Sequence, residues 1–484
     1  MVVFGLSPSE KRLDSEMANV AGQSGRAATS PVPAGRQELS FSANTLLTFV
    51  SQVLRNGLTA LGWAVIARAS GPKVLGEIQV AYLFATAAII FCNLGLPIAI
   101  MYFIGQKRYS LPIIVGNAVT WGIAASSVTI GLLWFGRSVF ARLLPISPGL
   151  YLTGLAWILP LLLASYLNSV LLGEKRFGEL FWISLIQGSA NLIAVSVASF
   201  SLGFNAKGLT LVLMFVTTLG VVLQLWFLRG AWKDAQLFPS RALIRDSLSL
   251  GLRAYFANIT QFVTYRFDSF IVGYISGSGP LGLYTVAYTI AEMLWYVPQI
   301  MATVLLPTTA SSKSDEANWR TAYVCRLTLM IGLLSGAGCF VAAPWLIPAF
   351  LGVKFSYSVL LLWLLLPGTI AFIYAKILSA DLVGRGHPEY SSWGSLFSMI
   401  ATLGLDVLLI PRFGVIAAAA ISSVVYAAQA AYLIGCFRRT TRVAIGSILI
   451  PRRADWIGLK ELNLVRLPRL CWQSVALAAK MTST

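Results

Sequence analysis

Seven ionisable residues stand inside long apolar stretches of this chain: Arg55, Arg266, Asp268, Glu292, Lys376, Asp381 and Asp406. A charge at the middle of a bilayer costs about 2.5–3.5 kcal/mol on insertion scales, so each calls for a watery lumen, a partner or a use. Arg55, Arg266 and Lys376 could hold an anion, and a guanidinium fork pairs with phosphate oxygens two at a time. Asp268 and Glu292 could bind protons or sodium ions. Arg266 and Asp268 are two residues apart, so they cannot share one helix face.

One row is more specific. Tyr284, Tyr288, Glu292 and Tyr296 recur every four residues, with Trp295 and Gln299 beside them, which lines them along one slanted helix face. Aromatic planes with a carboxylate and an amide suit a sugar, whose C–H patches lie on rings while its hydroxyls take polar groups. Helix packing with hydrogen-bonded tyrosine hydroxyls is the competing reading of the same row.

The elements that would position these groups are membrane helices. The chain is 57% hydrophobic and only 11% charged, with mean hydropathy +0.76, whereas soluble domains carry nearer a quarter charged residues. Apolar runs long enough to cross about 30 Å of hydrocarbon recur from Phe41 to Phe437. They predict an all-α polytopic protein of about twelve spans, near 43–67, 79–104, 111–135, 150–172, 180–202, 208–228, 250–275, 282–306, 324–343, 357–380, 391–410 and 414–436.

The chain also repeats. Gly71 to Tyr82 reads GPKVLGEIQVAY and Gly279 to Tyr288 reads GPLGLYTVAY. Such self-similarity predicts two parallel six-helix bundles round a central cleft, an architecture that places a substrate site between the halves. The implied units are a disordered tail (1–40), a first bundle (41–230), a linker (231–248), a second bundle (249–437) and a basic tail (438–484). With both termini inside, inner loops and tails hold 25 of the 36 Lys and Arg residues and the outer connections hold 7, as the positive-inside rule requires. The buried charges do not repeat: Glu292 falls opposite Thr86, and Arg55 opposite Val263. Unequal charge on a repeated scaffold points to unequal roles.

Several chemistries are unsupported. The net charge of +18 sits in tails and inner loops, where anionic lipid attracts it, so no nucleic-acid partner is expected. Five scattered cysteines suggest neither a metal site nor a disulfide framework. Gly277 to Gly282 matches GxGxxG by letter, but Pro280 interrupts it and it reads as a turn. No GxxxxGK[ST] is present, and His387 before Pro388 reads as a turn residue. Neither an enzyme activity nor a cofactor is called for.

From Phe41 to Arg439 the chain resembles the polysaccharide-export flippases, the Wzx-type O-antigen and exopolysaccharide translocases of the MATE-like superfamily. The residues that carry the resemblance are Ala67-Arg68, Gly71-Pro72, Leu75-Gly76, Asn93-Leu-Gly-Leu-Pro97, Tyr265-Arg-Phe-Asp268 running into Ile271-Val-Gly273, Leu281 to Tyr288, Pro307, Leu366-Pro-Gly368 and Leu408 to Gly414. Asp406 stands where that pattern expects Asn, so no family role passes to it. The resemblance implies flipping of an undecaprenyl-pyrophosphate-linked oligosaccharide unit across the bacterial cytoplasmic membrane for lipopolysaccharide or exopolysaccharide synthesis. It also implies membrane lipids, a glycan polymerase and a chain-length regulator as partners; H+ or Na+ binding at Asp268 and Glu292 could drive the cycle, and the substrate gradient is the alternative. On that reading Arg55, Arg266 and Lys376 would meet phosphate, the tyrosine row would meet sugar, and the polyprenyl chain would stay in lipid through a lateral opening. A MATE-like multidrug or cation antiporter is the alternative, and it would need carboxylates to dominate the lumen. A lipid II flippase would need two further spans, and a non-transporting scaffold would leave the buried charges unexplained.

Overall fold

The computed structural model describes residues 41–138, 147–233, 241–311 and 314–450. The expected disordered tail (1–40), part of the linker and the chain beyond residue 450 lie outside the described residues, as does Lys313. The described chain is helical. The helices are α1 (Phe41–Asn93), α2 (Leu96–Gly105), α3 (Leu111–Phe135), α4 (Pro148–Gly173), α5 (Phe177–Ser196), α6 (Ala206–Phe227), α7 (Arg229–Lys233), α8 (Arg241–Ile275), α9 (Ser278–Met293), α10 (Tyr296–Ser311), α11 (Ser314–Leu351), α12 (Tyr357–Gly384), α13 (Pro388–Phe413), α14 (Val415–Thr441) and α15 (Ile445–Leu449).

Among the described residues nine helices are long and apolar enough to cross a membrane. The other three sequence-expected spans have local reasons to escape that count. α1 is two arms joined at Gly71, whose φ of 79° and ψ of 178° suit a residue without Cβ; Pro72 then starts the second arm without needing an N–H donor. α8 carries Arg245, Asp246, Arg266 and Asp268, which dilute its hydropathy. The eighth span is divided into α9 and α10, each 16 residues long.

Two breaks shape the interior. Asn93-Leu-Gly-Leu-Pro97 interrupts the second span: Gly95 has φ 74°, and the Asn93 side-chain oxygen accepts from its N–H at 2.7 Å. The eighth span breaks at Leu294-Trp295, three residues ahead of Pro298, rather than ending at Pro307, which lies within α10.

The two halves pack alike. In the first, α4 sits against α3, α6 and α1, while α5 lies on α1; in the second, α12 sits against α11, α14, α9 and α10, while α13 lies on α8. Small residues permit the closest crossings. A Cβ on Gly368 would stand 2.2 Å from the Cα of Ser423, and the Gly368 N–H donates to Ser423 Oγ at 2.7 Å. This is the contact that the Leu366-Pro-Gly368 motif serves.

Between the halves, the two copies of the repeated Leu-Gly pair meet. A Cβ on Gly76 would stand 1.7 Å from the Ser278 carbonyl oxygen, and one on Gly282 would stand 2.0 Å from that of Pro72. The repeat therefore forms a two-sided seam in which each half's glycine receives the other half's backbone. A second seam joins α2 to α8, where Gly95 and Gly251 touch through backbone. There Arg108 pairs with Asp246 at 2.7 Å, and the Tyr109 hydroxyl donates to the same carboxylate at 2.8 Å.

Candidate functional site

Arg266 stands in the last third of α8 and Glu292 near the end of α9. Arg266 Nη1 donates to Glu292 Oε1 at 2.7 Å and Nη2 to Oε2 at 2.9 Å, the two-pronged geometry in which a guanidinium binds an oxyanion best. The guanidinium carbon also lies 4.5 Å from the centre of the Tyr288 ring, one turn before Glu292. Each partner of the ion pair keeps a quarter of its side chain exposed, so the pair is reachable rather than sealed.

Lys376 arrives from α12. Its Nζ donates to Gln299 Oε1 at 3.1 Å and stands 4.9 Å from Trp295, 5.4 Å from Phe372 and 5.8 Å from Tyr265. Those three rings and Tyr426 form a box whose centroids are all 4.9–6.0 Å apart. The ammonium is thus held on ring faces, whose quadrupoles attract a cation.

Arg55 comes from the first half. Its electrostatic neighbours are Tyr82 and, across the gap between the halves, Tyr296. Tyr82 in turn feels Arg266, Arg55 and Glu292, while Glu292 is the charge that acts on Lys376. Two cations of the second half, Arg266 and Lys376, therefore act on one carboxylate, and Arg55 of the first half lies beyond Tyr82 and Tyr296.

Asp268 faces the other way, as its two-residue offset from Arg266 requires. It is 2% exposed. Its carboxylate accepts from the Tyr284 hydroxyl, from Ser422 Oγ at 3.1 Å and from Ser269 Oγ at 3.1 Å. Asp406 is fully buried, lies within electrostatic reach of Asp268, and neither of its oxygens has a hydrogen-bond donor among the described residues. Asp381 is different: it accepts from Thr309 at 3.2 Å, Thr321 at 2.6 Å and Arg385 at 2.7 Å, a satisfied brace joining α10, α11 and α12.

The tyrosine row does not survive as one face. The helix break moves Tyr296 into α10, where it is 38% exposed and sits beside Asn56 and Arg55. Tyr284 is buried against Asp268, and Tyr288 is 8% exposed, its hydroxyl accepting from Gln79 Nε2 at 2.6 Å. Sequence reasoning singled out neither Gln79, Tyr82 and Ser422 nor the rings of Tyr265, Phe372 and Tyr426. Gln79 had a signal: it lies three residues after Gly76, where the second copy of the repeat has Thr285. A small cavity lined by Leu96, Phe103, Asn117, Trp121, Tyr166 and Leu243 lies at the α2–α8 seam and shares no residue with this cluster.

A family model described as "Polysaccharide biosynthesis protein" matches residues 41–313. The chain belongs to that family. It is also similar to the "Probable low-salt glycan biosynthesis flippase Agl15" of Haloferax volcanii, 22% identical over 80% of this chain and 82% of that one. Among solved structures, an inward-facing multidrug resistance MATE family transporter of the MOP superfamily superposes with TM-score 0.62 at 15% identity, covering 81% of this chain and 98% of its own. A MOP superfamily transporter from Pyrococcus furiosus gives 0.59 at 15% identity, over 83% and 95%. At these identities the structures establish the fold, that of the MATE-like MOP transporters. This family member is a multi-pass membrane protein with the MATE-like fold.

Proposed function

We propose that this chain flips an undecaprenyl-pyrophosphate-linked oligosaccharide unit from the inner to the outer leaflet of a bacterial cytoplasmic membrane, with both termini cytoplasmic. The observation that carries the reading is the polarity of the site: Arg266 and Lys376 act on Glu292 and Arg55 lies beyond Tyr82 and Tyr296, while Asp268 is turned to the other face of α8. An excess of cations replaces the hydration of a pyrophosphate, which cannot cross hydrocarbon unaided. Tyr296, an exposed ring, offers a flat surface for sugar, and the polyprenyl chain stays in lipid. Family membership and the glycan flippase relative support the same substrate class.

The halves, taken as 41–230 and 249–437, would rock about the repeat seam. Asp268 would couple the motion to H+ or Na+, now with Asp406 as its partner. The rival reading, export of organic cations, fits the fold but requires a site of the opposite sign. A glycan polymerase and a chain-length regulator would take the product on the outer face.

The test is side-resolved detection of the lipid-linked oligosaccharide in cells and inverted vesicles. Arg266→Gln with Lys376→Gln should leave it on the inner leaflet when export is compared at matched amounts of folded protein in the membrane. Unchanged export, or loss of resistance to organic cations in its place, would overturn the proposal.

A further inference from the structure

Gln79 belongs to the first half and Tyr288 to the second, and their hydrogen bond of 2.6 Å is buried. It lies along the repeat seam, three residues past Gly76 in α1 and six past Gly282 in α9. From Tyr288 the connection continues without a gap: its ring carries the Arg266 guanidinium at 4.5 Å, and Arg266 grips Glu292. One chain of contacts therefore runs from the first half to the central ion pair.

The link exists in one sense only. The repeat would mirror it as Thr285 in the second half facing Tyr82 in the first. Thr285 instead donates to the Leu281 carbonyl of its own helix at 2.8 Å, and Tyr82 packs against Trp63 and Trp157. Symmetry of the scaffold does not demand the Gln79 contact, so its presence in a single copy belongs with the single-copy charges.

We propose that Gln79 is a positioning residue: it reports closure of the seam to Arg266 through Tyr288. While the Gly76–Gly282 seam is shut, Gln79 holds Tyr288, and the ring seats Arg266 beside Glu292. Parting the seam breaks the hydrogen bond, releases the ring and withdraws that seat. Arg266 then presents itself differently to an anionic group in the two states, which is what a carrier needs in order to take up on one side and release on the other. The proposal rests on the reading that Arg266 meets the anionic headgroup, but the linkage itself can be measured without substrate.

The experiment places a cysteine at Tyr296 in a chain otherwise free of cysteine and adds a membrane-impermeant maleimide to intact cells and to inverted vesicles. Gln79→Met removes the donor at nearly constant volume; Tyr288→Phe removes the acceptor and keeps the ring. Each should shift labelling toward the intact-cell side by about three- to tenfold, the change one buried hydrogen bond supports. The double variant should shift it no further. Membrane abundance is measured in parallel, and Tyr288→Phe serves where Gln79→Met fails to accumulate. Additive shifts, or an unmoved labelling ratio in well-folded variants, would overturn the linkage. If Arg266→Gln exports glycan normally while Gln79→Met still shifts the ratio, the linkage stands and only the headgroup reading falls.

Discussion

Among the described residues neither buried oxygen of Asp406 has a hydrogen-bond donor, and the charge that acts on them is that of Asp268, across from α13 on α8. Asp268 is itself held by Tyr284, Ser269 and Ser422, so the two carboxyls differ: one is fixed and one is unsatisfied. An unsatisfied buried acceptor is expensive unless a proton or cation fills the gap. The expected outcome for Asp406→Asn is normal or raised thermal stability together with loss of the response of export to ionophores that collapse the proton or sodium gradient. Export by Asp406→Asn that still tracks the gradient would remove the pair from coupling.

The ion pair of Arg266 and Glu292 separates structural from functional charge. Either single neutralisation, Arg266→Gln or Glu292→Gln, leaves a partly buried charge without its fork and should lower stability by about 1–3 kcal/mol. The exchange Arg266→Glu with Glu292→Arg should restore melting temperature in detergent. It should not restore export, because the guanidinium would then project from α9 rather than from α8. Recovery of both properties together would make the pair purely structural.

Much of the fold was legible because membrane helices announce themselves through length and hydropathy, and the repeat through its Gly-Pro and Leu-Gly punctuation. The reason for Gly76 and Gly282 was less legible: only the assembled seam shows that each accommodates the other half's carbonyl. At the site, the sequence singled out Arg55, Arg266, Glu292 and Lys376 because charge in an apolar run is conspicuous. It could not foresee the tyrosine row's division, since the break at Leu294-Trp295 has no glycine to mark it. Gln79, Ser422 and Phe372 went unnoticed for a related reason: uncharged side chains acquire roles only from what faces them, and those partners lie up to 209 residues away.

Glycine at the seam gives a sharper packing test. Gly76→Ala or Gly282→Ala would drive a methyl into backbone that has no rotamer to move, and each should destabilise the protein by about 1–3 kcal/mol. Gly57→Ala is the control, since nothing lies within 4 Å of its added Cβ. It should be neutral or slightly stabilising through helix propensity, by about 0.5–1 kcal/mol. Thermal unfolding of the three purified variants checks both statements; equal melting temperatures would mean that the seam is not tightly closed.

Topology follows from the distribution of Lys and Arg. Reporter fusions at Lys107, Lys233 and Lys313 should read as cytoplasmic, and fusions at Lys73, Ser278 and Lys354 as external. The seam of α1 and α9 beside Gly71 and Gly277 would then lie toward the outer face and the Arg108–Asp246 contact toward the inner. Consistent inversion at all six sites would reverse the proposed direction of transport.

Arg55 is the first half's contribution to the cationic site. It stands too deep in a sequence-predicted span for its head to reach the interface easily, and its surroundings are Tyr82 of its own half and Tyr296 of the other. A role toward the substrate's phosphates predicts graded behaviour: Arg55→Lys keeps the charge but not the fork and should retain partial export, while Arg55→Ala should lose it. Lipid-linked oligosaccharide should then accumulate on the inner leaflet, with normal amounts of protein in the membrane. The competing explanation, an ion pair with Asp268 or Glu292, predicts instead that Arg55→Asp is rescued by Asp268→Arg or Glu292→Arg. Rescue in either combination, or full export by Arg55→Ala, would take Arg55 out of the substrate path.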